Sequence, residues 1–389
     1  MKKRAECDVL TGVNIGSDSP PGLHAVATAH DRGEAWFWLA APALGRVWVG
    51  VSGSVTGPGD EPAALVGAWG WRGAGLRFGA RLRTGAWPPS PPAATFARVP
   101  AGRAAAAPMS SQGSDTAFLN RVSRALEALA NGRLDKVVLA RAEDWRPSSG
   151  LTAPPPHAVL AALLNEQPSA FVFGVGQGGR SFVGATPELL AHVALGPGGR
   201  WVATDALAGT APLDEPPERL LDSPKDRREH AYVVEAIRAA LEPLCVTGSI
   251  ELPAVPVVET LPHLRHLRTP VRGLLRDGVP ARAVVDALHP TPAVCGAPRQ
   301  AAWAWLEANE GFDRGLYAGP VGFDEGETGL WVVGLRCGTL DASSARLYAG
   351  VGLVAGSDPA RELAETHLKL RVMRSALAAA QTSEAAHVG

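Results

Sequence analysis

Apolar and polar positions along the chain follow two different periods. Near the N-terminus, stretches such as AWFWLA at 35–40 and RVWVGV at 46–51 predict short strands, and glycine and proline between them predict turns. After Asp115 the spacing becomes helical and predicts a helix that Asp115 caps. The apolar face of that helix comprises Phe118, Leu119, Val122, Leu126 and Leu129.

The middle of the chain alternates between the two patterns. KVVLAR at 136–141 is a β-branched run that fits a strand buried on at least one face. RSFVGATPELLAHV at 180–193 and RWVATDALAGTAP at 200–212 are strand-like with glycine turns, and a long helical segment follows them. This mixture predicts an α+β fold in which neighbouring strands are antiparallel.

Two predicted helices carry acidic residues in line with apolar ones. Ser223 and Pro224 fit the N-cap and first turn of one helix, on which Asp226 and Glu229 share a face with Val233 and Ile237. The other begins at Asp358-Pro359, and Glu362, Glu365 and Lys369 lie on one of its faces.

Two interpretations of these acidic residues stay open on spacing alone. Glu and Lys at such intervals are common on solvated helices, where they form salt bridges. Alternatively, four carboxylates turned inward would repel one another, and a divalent cation would relieve the repulsion. Oxygen ligands without thiolates or clustered histidines favour a hard ion such as Mg²⁺.

Composition restricts the class of ligand. The 389 residues are 46% hydrophobic, which is enough for a sizeable core in one large or two ordinary domains. The formal net charge is −1 and the basic residues are scattered, so we expect neither nucleic acid nor an anionic membrane surface as a partner. No apolar run reaches the length of a membrane span, and we expect a cytoplasmic, monomeric protein with a small-molecule substrate.

The amino-acid composition and the predicted secondary structure change at about residue 110. Residues 1–110 are β-rich with much Gly, Pro, Ala and Trp, and the small-residue segment 101–114 predicts a boundary or a surface crossing. Residues 111–380 hold the candidate chemistry, and 381–389 is predicted to be a frayed tail.

Ten motifs in fixed order give a more specific indication. Between about residues 135 and 369 the chain contains DKVVLAR, FVGATPELL, ALAGTAP, SPKDRREHAYVVE, HLRTPVRG, LHPTPAVCGAPR, DRGLYAGPVGF, GLRCGTL, LYAGVGLV and SDPARELAETHLK. In these motifs the sequence resembles the chorismate-utilising enzymes, which include isochorismate synthase, salicylate synthase and the large subunit of anthranilate synthase. The resemblance implies a chorismate-binding fold of stacked antiparallel β-sheets flanked by helices.

Within that family the sequence is most similar to isochorismate synthase. The resemblance implies Mg²⁺-dependent conversion of chorismate to isochorismate, in which water adds at C2 and the C4 hydroxyl leaves. It assigns Lys136 as the base that activates water and Glu188 as the acid at C4, and it places His266 near the ring. A desolvated lysine and a carboxyl in an apolar setting suit these roles.

The resemblance also implies ligands for the metal and the substrate. Glu229 and Glu365 match the metal ligands, and Asp226 and Glu362 lie one turn earlier as outer or water-mediated ligands. Arg336 matches the arginine that grips the enolpyruvyl carboxylate. The complete predicted substrate-binding set is Gly209, Thr210, Tyr317, Leu335, Arg336, Gly350, Gly352 and Lys369.

Some alternatives within the family remain. Ala208 stands where aminodeoxychorismate synthases carry a nucleophilic lysine, so that activity is disfavoured. Salicylate synthase, which goes on to eliminate pyruvate, is the closer rival: Leu335 favours it and the aromatic Tyr348 disfavours it. A catalytically inactive chorismate-binding subunit is a third possibility. Leu330 departs from the acidic residue usual at its position, and the sequence does not choose among siderophore, salicylate-derived and menaquinone pathways.

Overall fold

The structure is a computed structural model that describes residues 22–51, 64–70, 75–80, 83–86, 115–147 and 152–388. The predicted boundary at 101–114 lies outside these residues. The strands are β1 (Trp36–Ala41), β2 (Arg46–Val51), β3 (Ala64–Trp69), β4 (Gly75–Ala80), β5 (Arg83–Ala86), β6 (Lys136–Trp145), β7 (Phe171–Gln177), β8 (Arg180–Thr186), β9 (Leu189–Gly196), β10 (Gly199–Pro212), β11 (Val257–Thr260), β12 (Leu264–Leu274), β13 (Gly296–Ala297), β14 (Pro320–Glu325), β15 (Thr328–Val333), β16 (Cys337–Leu340) and β17 (Ala345–Val354).

Helices cover the sheets, and none within the described ranges is long and apolar enough to cross a membrane. The predicted helix after Asp115 is present and begins at that residue. The helices are α1 (Leu23–Asp31), α2 (Asp115–Ala130), α3 (Pro156–Glu166), α4 (Pro217–Asp222), α5 (Pro224–Leu241), α6 (Ala281–Leu288), α7 (Arg299–Asn309) and α8 (Pro359–Val388).

The strands of the described residues form two sheets. The first has the order β13-β6-β17-β16-β8-β7-β1-β2-β5 and the second the order β11-β12-β10-β9-β15-β14-β3-β4. Neighbours pair antiparallel, as in β6 with β17 and β10 with β12, so the predicted α+β class is confirmed. Strands β1, β2 and β5 extend the first sheet and β3 and β4 extend the second, so N-terminal and C-terminal segments build the same two sheets.

Successive side chains along a strand point to opposite faces of the sheet and enter different clusters of the core. On β1, Phe37 and Leu39 belong to the main cluster, whereas Trp36 and Trp38 point to the opposite face and pack with α1, α3 and α8. The ring of Phe37 lies 6.3 Å from that of Phe323 on β14, which joins the two sheets face to face. β1 is apolar at every position, and both of its faces are buried.

Helices α5 and α8 begin as their capping residues predict. The Ser223 side chain accepts a hydrogen bond from the backbone N–H of Asp226 at 3.2 Å, and Asp358 Oδ1 accepts one from the N–H of Arg361 at 2.8 Å. Helix α5 lies against β10 and β12, and α8 lies against α3 and β17. Helix α8 continues through 381–388, where the sequence predicted a frayed tail.

A buried ion pair completes the outer edge of β6. The short β13 pairs only with Lys136 and Val137, so the edge beyond them lacks a strand partner. Arg314 Nη2 donates to Val138 O at 2.7 Å, and Glu310 Oε1 accepts from Ala140 N at 2.7 Å. The two side chains also form an ion pair with each other. Their hydrogen bonds to β6 satisfy backbone groups that an edge strand would leave unpaired.

Replacement of Arg314 by methionine should lower the free energy of unfolding by about 3–5 kcal/mol, because Glu310 would keep its charge in the interior without a partner. Urea denaturation followed by tryptophan fluorescence measures this change. Arg238→Ala removes an arginine from the exposed pair with Glu235 and should leave the denaturation midpoint unchanged. Equal midpoints for wild type and Arg314→Met would contradict the structural role of the buried pair.

Candidate active site

One cavity gathers most of the predicted site residues at the meeting point of β6, β10, β12, β17, α5 and α8. Its volume is about 50 Å³, which holds a few water molecules and is too small for a ten-carbon diacid. The side chains on its wall therefore have to move before such a ligand enters. Predicted site residues on its wall are Glu188, Gly209, Thr210, Glu229, His266, Tyr317, Leu335, Arg336, Gly350, Gly352, Glu365 and Lys369.

Lys136 lies behind this wall and not on it. It is the first residue of β6, its side chain has 0% exposure, and its Nζ is 3.2 Å from Glu229 Oε1. Burial lowers the pKa of Lys136, and the charge of Glu229 opposes that shift. A Cβ on residue 352 would overlap the Glu229 carboxylate, so glycine on β17 is what lets the lysine and the glutamate meet.

Glu188 lies in the short connection between β8 and β9. Its backbone N–H donates to Thr186 Oγ1 at 3.2 Å, which fixes the turn. Burial raises the pKa of its carboxyl to about 8, although Lys136 and Arg336 pull in the opposite direction. At neutral pH this group is therefore protonated and able to donate a proton.

Arg336, His266 and Thr210 form a connected polar group. Arg336 Nη2 donates to His266 Nε2 at 3.0 Å, and this assigns the ring proton to Nδ1, which lies 3.0 Å from Thr210 Oγ1 and 3.3 Å from Gly209 O. Burial and the charge of Arg336 lower the pKa of His266 to about 3, so the imidazole is neutral. Both ring nitrogens of His266 are engaged within the protein.

The backbone is bent at two points beside this group. Arg336 has φ of 48°, an uncommon left-handed conformation for a residue with a side chain. Gly209 has φ of 79° and is skipped in the register between β10 and β12, where the pairing shifts between Ala208 and Thr210. These two bends direct the guanidinium and the β10 bulge toward the same cavity.

Two tyrosines form the aromatic side of the cavity. The rings of Tyr317 and Tyr348 stack with centroids 5.3 Å apart. Burial raises the pKa of Tyr317, so its hydroxyl keeps its proton. Leu335 lies on the same wall, and the pair of tyrosines gives a flat apolar surface suited to an unsaturated ring.

The acidic residues of α5 and α8 are paired with lysines. Lys369 Nζ is 2.5 Å from Glu365 Oε1 and donates to Gly350 O at 2.7 Å. Lys225 Nζ is 2.9 Å from Glu362 Oε1 and 3.8 Å from Asp226 Oδ1. Asp226 and Glu362, like Lys136, are absent from the cavity wall and form a second layer behind Glu229 and Glu365.

Crowding among these carboxylates shifts their pKa values apart. Burial and the neighbouring Glu365 raise the pKa of Glu362 to about 7. Burial also raises the pKa of Asp226, and Glu229 and Glu365 add to that shift. For Glu365 burial acts upward, but the contact with Lys369 outweighs it and the pKa is lowered. A fully solvated salt-bridge stripe does not describe these residues, because Glu229 and Glu362 are buried and Asp226, Glu365 and Lys369 are only partly exposed.

The donor set fits a hard divalent cation in its chemistry. Its ligands are oxygens, and Asp226 Oδ1 is a buried atom that accepts no hydrogen bond. In the described part of the chain, however, no three His, Cys, Asp or Glu side chains converge on a common metal position. Glu229, Glu362 and Glu365 each contact a lysine instead, so a cation would bind carboxylates that already have a counter-charge.

Sequence reasoning missed two residues of the site. Lys225 precedes Asp226 in the chain and neutralises Glu362 across two helices, a contact that local spacing does not show. His230 follows Glu229; its Nδ1 is 3.2 Å from Ala208 O and its Nε2 is 2.7 Å from Thr269 Oγ1, so it ties α5 to β10 and β12. The sequence feature that could have indicated them is their position next to Asp226 and Glu229, two predicted metal ligands.

Two other features lie away from the cavity. Leu330, the expected departure from the family pattern, is buried in the core on β15 and does not line the cavity. A larger groove of about 1110 Å³ follows the outer side of α5. It contains none of the predicted site residues, and the chemistry is therefore assigned to the smaller cavity.

Comparison with known proteins agrees with this geometry. The family model described as chorismate binding enzyme matches residues 97–378. The salicylate biosynthesis isochorismate synthase of Pseudomonas aeruginosa is 42% identical over 267 residues, which are 67% of this chain and 54% of that protein. The isochorismate synthase DhbC of Bacillus subtilis is 37% identical over 279 residues, 67% of each chain. The match thus spans about half of the first relative and two thirds of the second.

A solved structure extends the likeness to most of the fold. A Bacillus anthracis protein described provisionally as the 2,3-dihydroxybenzoate-specific isochorismate synthase DhbC superposes with a TM-score of 0.72 and 27% identity, covering 91% of this chain and 100% of that chain. The family match covers well over half of the sequence, including every predicted site residue. The chain belongs to the chorismate-binding enzymes.

Proposed function

We propose that the protein is an isochorismate synthase, an isomerase that converts chorismate to isochorismate. The observation that carries the proposal is the opposite direction of the pKa shifts of two buried groups, one on the cavity wall and one directly behind it. Burial lowers the pKa of Lys136 toward a usable base and raises the pKa of Glu188 to about 8, as an acid requires. The names of the relatives from Pseudomonas aeruginosa and Bacillus subtilis support the same activity.

The reaction needs one proton removed and one supplied. Lys136, as the neutral amine that burial favours, takes a proton from water as the water oxygen bonds to C2 of chorismate, and the ring double bonds shift. Glu188 gives its proton to the C4 oxygen as the C4–O bond breaks, so that water leaves. One water enters and one leaves, which makes the overall change an isomerisation.

Chorismate carries two carboxylates, and the cavity offers a receptor for each. Arg336 presents a buried guanidinium that His266 orients through the 3.0 Å hydrogen bond, and it suits the enolpyruvyl carboxylate. Lys369 and the carboxylates of α5 and α8 line the other side. The stacked Tyr317 and Tyr348 supply a flat wall for the ring between them.

Mg²⁺ is the cofactor that the donor set fits best. Glu229 and Glu365 would hold it, with Asp226 and Glu362 behind them. When bound, the cation neutralises the second carboxylate of the substrate. Lys369, held at 2.5 Å by Glu365, supplies a positive charge at that end of the cavity and positions the substrate there.

A related activity remains the second candidate. Leu335 lies on the cavity wall, and a leucine there favours salicylate synthase, in which isochorismate then loses pyruvate. The aromatic Tyr348 favours release of isochorismate instead. We further propose a cytoplasmic monomer whose product feeds a siderophore, salicylate-derived or menaquinone pathway.

Purified protein treated with EDTA, then supplied with Mg²⁺ and chorismate, should produce an isomer of equal mass and no pyruvate. Chromatography with mass detection follows both products. A second addition of EDTA should stop turnover, because removal of Mg²⁺ would leave the second carboxylate of the substrate without its counter-charge. Salicylate with pyruvate would support the second candidate, and no turnover with Mg²⁺ would contradict both.

Lys136→Met should reduce kcat by about 10²–10⁴-fold, because the incoming water loses its base. Methionine fills a similar volume in the interior, but the free energy of unfolding should fall because Glu229 loses its partner. Steady-state kinetics measures the loss, and circular dichroism checks the fold. A kcat within twofold of wild type would remove Lys136 from the mechanism.

Activity should fall as pH rises through about 8, where Glu188 loses the proton that the leaving hydroxyl needs. Glu188→Gln should lose most activity and abolish this alkaline limb in whatever activity remains. Glu166→Gln is the matched control, because burial also raises the pKa of Glu166 although it lies on α3 beside Ser375. An unchanged alkaline limb in Glu188→Gln would assign that limb to another group.

A further inference from the structure

Three lysines hold the acidic residues around the cavity, and they differ in access to solvent. Lys136 contacts Glu229 with 0% side-chain exposure, and Lys369 contacts Glu365 with 11%. Lys225 contacts Glu362 with 31% exposure. Of these three lysine side chains, that of Lys225 is the most exposed to solvent.

Lys225 also occupies a position that its own helix disfavours. It is the second residue of α5, where the positive end of the helix dipole repels a cation. Glu362 and Asp226 at 2.9 and 3.8 Å therefore provide the attraction that holds the ammonium group. Glu362 in turn has a side chain only 3% exposed and needs a counter-charge in the interior.

The other two lysines are held by further constraints. Lys369 Nζ donates to Gly350 O on β17 in addition to its contact with Glu365. Lys136 is enclosed beneath Glu229 and Gly352. Displacement of either would break buried contacts that nothing from solvent replaces.

We propose that Lys225 is the resident counter-cation of Glu362 and Asp226 in the metal-free protein, and that a divalent cation displaces it toward solvent on binding. Lys225 thereby sets the metal affinity of the site and keeps the carboxylates in place when the metal is absent. The inference rests on the proposed Mg²⁺ site, and it identifies Lys225 as a positioning residue that competes with the metal.

Lys225→Met tests this role, because methionine keeps most of the length and removes the charge. Isothermal titration of EDTA-treated protein with Mg²⁺ alone, without substrate, should show about five- to tenfold tighter binding than wild type, the effect of one partly exposed competing charge. Lys225→Arg retains the charge and should stay within about threefold of wild type.

Thermal unfolding provides a second readout. In EDTA the melting temperature of Lys225→Met should fall below that of wild type, because Glu362 and Asp226 lose their counter-charge. Saturating Mg²⁺ should close most of that gap. A purely structural lysine would lower the melting temperature equally with and without Mg²⁺ and would leave the dissociation constant unchanged.

Arg228→Met is the matched control for net charge. It removes one positive charge from the exposed outer side of the same helix and should leave Mg²⁺ affinity within about twofold. Equal or weaker Mg²⁺ binding by Lys225→Met would overturn the proposal while wild-type turnover still supported the proposed function. Wild-type protein that bound no Mg²⁺ and converted chorismate in EDTA would overturn the metal site and this inference together.

Discussion

Pairing of buried charges between α5, α8 and the β6–β17 pair is the constraint on which the site depends. Lys136 is enclosed at the start of β6, and an isolated ammonium group there would be too costly to keep charged. Glu229 on α5 lies 3.2 Å away and relieves that cost. The contact requires glycine at 352, since any side chain on that residue would occupy the space of the carboxylate.

The same interior position gives the groups their chemistry. Water is excluded, so the pKa of a lone lysine falls and that of a lone carboxyl rises, and the two groups move toward neutral pH from opposite sides. Glu188 has its partners at a distance, and its pKa rises to about 8. Glu365 touches Lys369, and its pKa falls. A close cation does not by itself lower the pKa of a buried carboxyl: Glu362 contacts Lys225 at 2.9 Å, yet burial and the neighbouring Glu365 raise its pKa to about 7.

The cavity is closed by these contacts. Its volume of about 50 Å³ is small because Glu229 and Glu365 are drawn to lysines and Arg336 is held by His266. Ligand groups that replace those internal partners would open the space. A substrate carboxylate can replace the His266 imidazole as the group that accepts a hydrogen bond from Arg336. A metal cation can replace a lysine ammonium group as the counter-charge of a glutamate.

The sequence by itself predicted many of the elements and supplied the candidates for most of the reacting groups. Local rules were sufficient for α5 and α8, because Ser223 and Asp358 cap them through contacts within three residues. Ten motifs in order indicated the family and named Lys136, Glu188 and Arg336. Only the tertiary structure decided which charges meet: Lys225 and Glu362 are 137 positions apart, and His230 reaches Thr269 from another element. Burial also decided between a solvated stripe and an interior site, because periodicity gives the face of a helix but not what covers it.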